Sequence, residues 1–143
     1  MLRLLDLVIF NALIGNHDAH AKNFSLLYSA KGAVLAPLYD ALSTAVYPNL
    51  TPKMAMKLGS KYKFSEVQAG HWDQFAKQAG LSVAQTRKRI LHLAQQLPLV
   101  ARRLQAMPEA GFIGNPLVEQ IVAVIEQRAA QTISRLTEPR IDA

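Results

Sequence analysis

The sequence predicts a mainly α-helical fold with a small β-hairpin. Apolar residues recur at helical spacing over residues 2–14 and again in several segments of the region 65–138. Between these regions, two short apolar segments flank a turn at residues 30–32, a pattern typical of a hairpin. The length of 143 residues suits one domain, so we expect a single domain over residues 1–143.

Composition excludes several classes of protein. The chain is 50% hydrophobic and 18% charged, which excludes disorder, and no apolar run approaches the roughly 20 residues that span a bilayer. We therefore expect a soluble globular protein with no membrane partner. The N-terminal segment carries Arg3 and Asp6 and lacks a small-residue cleavage site, so it predicts a core helix rather than a signal peptide. The absence of cysteine suits a cytoplasmic protein.

The chain carries an excess of positive charge. Sixteen Lys and Arg residues against ten Asp and Glu residues give a formal net charge of +6. Such an excess favours polyanions such as ATP, nucleic acid or an acidic protein partner, without choosing among them.

The first helix is predicted over residues 2–14 and ends at Gly15 and Asn16. The hairpin follows, formed by FSLLYS and AVLAPLY, with Gly32 in its turn and Pro37 limiting the second segment to a sheet edge or a strand end. Residues 53–58 alternate in the way of one more short strand. A polar loop therefore lies between the first helix and the hairpin.

The region 65–138 is predicted to contain three helical segments. The first ends at Gly80, the second begins at Ser82 and runs to about Met107 with a kink at Pro98, and the third begins at Asn115 and Pro116. The side chains predicted to face the interior are Trp72, Phe75, Ala76, Ala79, Ile90, Leu91, Ala94, Leu97, Leu104, Val118, Ile121, Val122, Ile125 and Ile133, together with Met54 and Met56 of the preceding strand.

The polar loop, IGNHDAHAKNF, contains residue types used in phosphoryl transfer. A hairpin brings its ends together, so Asp40 is expected to return close to Asn23. The oxygens of these two side chains suit Mg²⁺. Asp18 is then placed to orient and deprotonate a hydroxyl that attacks a γ-phosphate, and Lys22 to contact the transferred group as a point charge.

Here the sequence resembles a known family. The motif N-x-x-I-G-N-x-D-x-H-x-K-N-F-S, from Asn11 to Ser25, and P-x-Y-D, from Pro37 to Asp40, resemble the catalytic loop and metal-binding segment of HipA-like serine/threonine kinase toxins. Residues 54–82 resemble the helical C-terminal region of that family, so the resemblance runs from about residue 4 to about residue 107. The fold it implies is the helical C-terminal lobe of a protein-kinase-like enzyme.

The resemblance implies roles for individual residues. It implies that residues 16–23 form the catalytic loop, with Asp18 as the catalytic aspartate, and that residues 37–41 form the metal-binding segment. The implied Mg²⁺ ligands are Asn23 of the loop and Asp40 of the segment. His20 is expected to brace the loop. Tyr39 is expected either to pack beneath the metal site or to line the nucleotide pocket.

The complete enzyme implied by the resemblance uses MgATP to phosphorylate a protein substrate and is a toxin restrained by a DNA-binding antitoxin. A kinase also needs a lid over the phosphates and a small-lobe lysine, and the glycines of this chain form no phosphate-binding cluster. We therefore expect the N-terminal ATP-binding lobe to be absent and to be a required partner. Without it, ATP and Mg²⁺ binding should be weak or absent and the chain inactive.

Three other interpretations remain open. The simplest is that the polar loop is an ordinary helix cap and turn. Residues 75–91 resemble a helix-turn-helix whose second helix carries Arg87, Lys88 and Arg89, which predicts a DNA-binding or interaction module. The pair His17 and Asp18 also resembles an HD phosphohydrolase site, but that class needs another histidine on an earlier helix, and residues 1–16 contain none.

Overall fold

A computed structural model describes residues 2–138, so Met1 and residues 139–143 of the predicted domain lie outside the described part. The fold is mainly helical with two small hairpins, which confirms the predicted class. The helices are α1 (Leu2–Ile14), α2 (Ala69–Gln78), α3 (Val83–Ala106) and α4 (Pro116–Thr137). The strands are β1 (Leu26–Ser29), β2 (Gly32–Leu35), β3 (Lys53–Leu58) and β4 (Lys61–Lys63).

Helix α1 lies at the centre of the core. Its helical spacing places Leu5, Ile9 and Leu13 on one face, where each is at most 2% exposed. Gly15 directly follows the helix and has a φ of +78°, and a Cβ there would lie 2.6 Å from the Cβ of Ala45. Glycine therefore allows the loop after α1 to turn beneath the short helical turn Thr44–Val46.

The first hairpin forms as predicted, with one change in its turn. Strands β1 and β2 are antiparallel, and Ser29 pairs with Gly32. The turn therefore consists of Ala30 and Lys31, and Gly32 is the first residue of β2. Neither strand contains a buried residue, so the hairpin projects from the helical core.

A second hairpin was only half predicted. Strand β3 pairs with β4, a three-residue strand that the sequence analysis missed. Met54 and Leu58 are buried, whereas Met56, predicted to be in the core, is 39% exposed. A register shift between Lys53 and Leu58 breaks the regular alternation of the strand, which explains the exposure of Met56.

The helix ends follow the predicted caps. The Ser82 hydroxyl accepts a hydrogen bond from the Gln85 amide, and the Asn115 side chain accepts from the amides of Leu117 and Val118. Helix α3 runs without interruption through Pro98. Leu104, predicted to face inward, is 46% exposed because the core contacts of α3 end at Leu97.

The core joins all four helices to the second hairpin. Its buried members are Leu5, Ile9, Ala12, Leu13, Met54, Leu58, Phe64, Val67, Trp72, Ile90, Ala94 and Ala129. Within residues 2–138, we find no helix of the length and apolar character that a bilayer crossing requires.

Candidate active site

Asn16 organises the loop that follows α1. This buried side chain donates from its amide nitrogen to the Asn11 side-chain oxygen at 2.9 Å and to the Asp40 carbonyl at 3.2 Å. Its oxygen accepts from the Asp18 amide at 3.2 Å. One asparagine therefore links the end of α1, the predicted catalytic aspartate and the predicted metal-binding segment.

The predicted metal ligands lie together. The Asn23 amide nitrogen donates to Oδ2 of Asp40 at 3.1 Å, and the Asn23 oxygen accepts from the His20 amide at 3.0 Å. Asp40 has a φ of 55°, the single positive value among the described non-glycine residues. Aspartate adopts this left-handed region more readily than most residues do, and non-glycine residues held in it cluster at functional sites.

Asp18 faces solvent beside His20. The Asp18 side chain is 66% exposed, and its Oδ1 lies 3.0 Å from Nε2 of His20. A hollow next to Asp18 is lined by His17, Thr44, Leu50 and Thr51. An incoming hydroxyl group can therefore reach the Asp18 carboxylate from solvent, with His20 at its side.

Tyr39 contacts the loop through its hydroxyl. The phenol donates to the Lys22 carbonyl at 2.8 Å and lies 2.6 Å from the Ser25 hydroxyl. Since the single phenolic proton is used by Lys22, the Ser25 hydroxyl is the donor in the second bond. Tyr39 thus fastens the short helical turn Ala21–Asn23, and the Lys22 side chain extends from that turn at the surface.

His17 is buried and fully engaged, which argues against the HD phosphohydrolase interpretation. Its Nδ1 lies 3.2 Å from the Thr51 carbonyl and its Nε2 lies 2.7 Å from the Arg128 guanidinium. Burial and then the nearby Arg128 charge lower the pKa of His17. Within residues 2–138, no three His, Asp or Glu side chains are grouped to hold a metal ion in the way that class requires.

The basic helix also uses its charges internally. The Arg87 guanidinium donates to both carboxylate oxygens of Asp73 at 2.7 and 2.5 Å, and that of Arg89 to both oxygens of Asp6 at 2.5 and 2.7 Å. Two of the three basic side chains named for a recognition helix therefore hold α3 against α2 and α1. This arrangement disfavours the DNA-reading alternative.

The structure gathers the predicted residues into one region, and it adds others that the sequence analysis did not assign. Asn11 and Asn16 are both buried. Their signal in the sequence was that each is a polar residue of the quoted motif with apolar neighbours. Thr44, Thr51 and Arg128 carried no such signal. They reach His17 from positions at least 27 residues away in sequence.

Comparison with known proteins shows which family this chain resembles. Residues 1–101 match the family model of the HipA-like C-terminal domain. "Putative kinase Y4mE" of Sinorhizobium fredii is 49% identical over 106 residues, which cover 73% of this chain and 25% of that protein. The serine/threonine-protein kinase toxin HipA of Shewanella oneidensis is 26% identical over 132 residues, which cover 92% of this chain and 29% of that protein.

A solved structure is similar as well. A chain in the complex of Shewanella oneidensis HipA, HipB and operator DNA superposes with a TM-score of 0.65 and 26% identity, over 93% of this chain and 30% of that chain. The present chain therefore spans 25% to 30% of the length of these relatives.

Proposed function

This chain belongs to the family of HipA-like C-terminal domains, as the loop motif predicted, and from that premise we propose that it supplies the catalytic loop and metal-binding segment of a serine/threonine protein kinase. The observation that carries the proposal is the 3.1 Å contact between Asn23 and Asp40, with Asp18 on the same loop. The reaction transfers the γ-phosphoryl group of ATP to a protein hydroxyl.

Asp18 is the proposed catalytic aspartate. Its carboxylate orients the attacking hydroxyl and accepts its proton, a role that needs a solvent-accessible group near the transferred phosphate. The contact with His20 Nε2 restrains the carboxylate, so His20 acts on the reaction by positioning Asp18. Lys22, an exposed residue of the turn Ala21–Asn23, is the proposed contact to the phosphoryl oxygens.

The residues present fit Mg²⁺. Asp40 offers carboxylate oxygens, and the Asn23 amide oxygen keeps a second lone pair beside the bond it accepts from the His20 amide. The Asn23 amide now faces Asp40 with its nitrogen, so binding the ion requires the amide to turn its oxygen toward the carboxylate. Both groups are hard ligands, and Mg²⁺ is commonly held by only one or two protein groups together with phosphate oxygens. When bound, the ion neutralises negative charge on the phosphates of ATP. The protein's part is to hold the two side chains together, which the hairpin and the Asn16 hydrogen bonds accomplish.

Further partners are proposed for the protein of which this chain forms a part. An ATP-binding lobe is required, because positioning and electrostatic clamping of the phosphates supply most of the catalysis in kinases. The similar solved structure contains HipA with HipB and operator DNA, so we propose a DNA-binding antitoxin as the regulatory partner of a toxin that acts in the cytoplasm. The phosphorylated substrate is a protein.

The test is transfer of labelled phosphate from MgATP to a panel of protein acceptors. It compares this chain alone with the same chain fused to the ATP-binding lobe of a full-length relative. We expect transfer only in the fusion, with a loss of at least about 10²-fold in Asp18→Asn. Glu66→Gln, an exposed carboxylate on another turn, is the matched control. A folded fusion that transfers no phosphate, or an Asp18→Asn variant with full activity, contradicts the proposal.

A further inference from the structure

Arg128 of α4 connects the far end of the chain to the catalytic loop. One guanidinium nitrogen donates to the Ala12 carbonyl at 2.9 Å and the other lies 2.7 Å from Nε2 of His17. These contacts span 116 and 111 residues of sequence. Arg128 also lies beyond residues 1–101, the part of the chain that matches the family model.

The Arg128 cation is compensated without a carboxylate. Within residues 2–138, no Asp or Glu forms an ion pair with it. Instead, the guanidinium lies at the C-terminal end of α1, where the helix dipole is negative, and 4.5 Å from the centre of the Phe64 ring. Burial lowers the pKa of Arg128 to about 10, so the group stays charged at neutral pH.

This cation fixes the protonation of His17. An arginine can only donate, so Nε2 of His17 must be an acceptor, and the single imidazole proton is on Nδ1. Nδ1–H then donates to the Thr51 carbonyl at 3.2 Å. The charged groups next to His17 are Arg128 from α4 and Asp18, its neighbour in the chain, while Thr44 and Thr51 do not titrate.

His17 is held from four directions and Asp18 follows it directly. The His17 amide donates to the Thr44 hydroxyl at 2.9 Å, and its carbonyl accepts from the Ala55 amide at 2.7 Å. The ring is held by Thr51 and Arg128. By contrast, the bonds described for Asp18 all stay within the same loop. Its amide donates to the Asn16 side chain, its carboxylate contacts the His20 ring, and its carbonyl accepts from the His20 amide. The orientation of Asp18 therefore depends on how its neighbour is anchored.

We propose that Arg128 is a positioning residue that sets the conformation of residues 16–23, and with it the direction of the Asp18 carboxylate, through its contact with His17. Its effect on phosphoryl transfer rests on the proposed kinase function, whereas its effect on the loop does not. The competing interpretation is that Arg128 only ties α4 to α1 through the Ala12 carbonyl and stabilises the fold.

The first experiment measures the loop in this chain by NMR. Arg128→Met is compared with Arg135→Met, a matched control on the same helix, whose guanidinium donates to the carbonyls of Val67 and Ser65 at 2.5 and 2.8 Å. In Arg128→Met we expect a higher pKa for His17, because a neighbouring cation is removed, and shifted amide resonances over residues 16–23. Arg135→Met should change neither. If Arg128→Met does not fold, Arg128→Lys is measured instead, because it keeps the charge while losing the forked geometry. The amide resonances of residues 16–23 should then still shift, and unchanged resonances overturn the inference.

The second experiment measures kinetics in the fusion with an ATP-binding lobe. Arg128→Met should lower kcat by roughly tenfold to a hundredfold, with the KM for ATP unchanged, and Arg128→Lys should recover part of the loss. Unchanged His17 and loop resonances overturn the inference, as does an unchanged kcat in an active fusion. A wild-type fusion that transfers no phosphate counts against the proposed function alone, and the NMR result then decides the role of Arg128.

Discussion

The side-chain amide of Asn23 donates a 3.1 Å hydrogen bond to the carboxylate of Asp40, seventeen positions further along the chain. The β1–β2 hairpin closes this distance, and a bond from the Ala36 amide to the Ser25 carbonyl at 2.8 Å closes its base. The proposed ligand pair therefore exists only when the hairpin is formed. The two residues come together although neither strand of the hairpin contributes a buried side chain.

Asp40→Asn should abolish metal-dependent transfer while leaving the fold intact. Asparagine tolerates the positive φ of this position and keeps the shape of the side chain, but it removes the negative charge. We expect at least about 10²-fold slower phosphoryl transfer, as for loss of one preorganised electrostatic group. Because Asp40 is exposed, the free energy of unfolding should change by less than about 0.5 kcal/mol.

The measurement combines labelled-phosphate transfer in the fusion with thermal unfolding of the chain. Glu109→Gln, which neutralises another exposed carboxylate, serves as the control. Full activity of Asp40→Asn at ordinary Mg²⁺ concentrations would remove Asp40 from the proposed ligand set.

Tyr39→Phe tests whether this residue holds the loop or binds nucleotide. The change keeps the ring and removes the hydroxyl that contacts the Lys22 carbonyl and the Ser25 hydroxyl. We expect a loss of about 0.5–1.5 kcal/mol in the free energy of unfolding and a lower kcat, with the KM for ATP unchanged. Tyr28→Phe, at an 81% exposed position, is the control for removing a tyrosine hydroxyl. A raised KM with unchanged kcat would instead place Tyr39 in the nucleotide pocket.

Local patterns explain what could be predicted from the sequence. Both bounds of α1 were predicted correctly because strong apolar periodicity ended at a glycine. The start of α4 was predicted correctly because Asn115 and Pro116 are a strong helix start. The Asn23–Asp40 contact followed from hairpin geometry alone. Each of these features is determined by residues close together in sequence.

The features that were missed depend on distant residues. Strand β4 is three residues long and contains two lysines, so it has no apolar pattern of its own, and its partner strand defines it. Leu104 has the right spacing for burial, but periodicity does not indicate where the neighbouring helices end. The contact of Arg128 with His17 crosses 111 positions, and no local signal distinguishes this arginine from those at the surface.

The pair of Arg89 and Asp6 should contribute to stability rather than to DNA binding. Both guanidinium bonds, at 2.5 and 2.7 Å, join α3 to α1, and the Asp6 side chain is only 26% exposed. The Arg89 side chain is 41% exposed, so water screens the pair. We therefore expect Arg89→Met and Asp6→Asn each to lower the free energy of unfolding by only about 0.5–1 kcal/mol. The double variant should lose less than the sum of the two.

Urea unfolding of the four proteins in this cycle gives the coupling energy. DNA binding by wild type and by Arg89→Met is compared through the change that each protein causes in the electrophoretic mobility of mixed-sequence duplex DNA. Additive losses would contradict the stabilising role of the pair. Tight DNA binding that is lost in Arg89→Met would restore the helix-turn-helix interpretation.

His17 should make the fold less stable as the pH falls below neutrality. Its pKa is lowered in the folded protein from an ordinary value of 6.5, first by burial and then by the charge of Arg128. Well above pH 6.5 the imidazole is neutral in both states, so its contribution to stability is fully present. As the pH falls below that value, the unfolded chain takes up a proton before the folded protein does, and the free energy of unfolding decreases until the folded protein is protonated as well.

Urea unfolding between pH 8 and pH 5 measures this dependence, in a window that roughly brackets the ordinary histidine pKa. His17→Gln should be less stable than wild type at pH 8, because it loses the bonds to Thr51 and Arg128, but its stability should fall less steeply with acid. His92→Gln, at an exposed position, should keep the wild-type slope. Arg128→Met should also flatten the slope, since the cation that disfavours imidazolium is gone. Equal slopes for wild type and His17→Gln would show that His17 is not protonated preferentially in the unfolded chain.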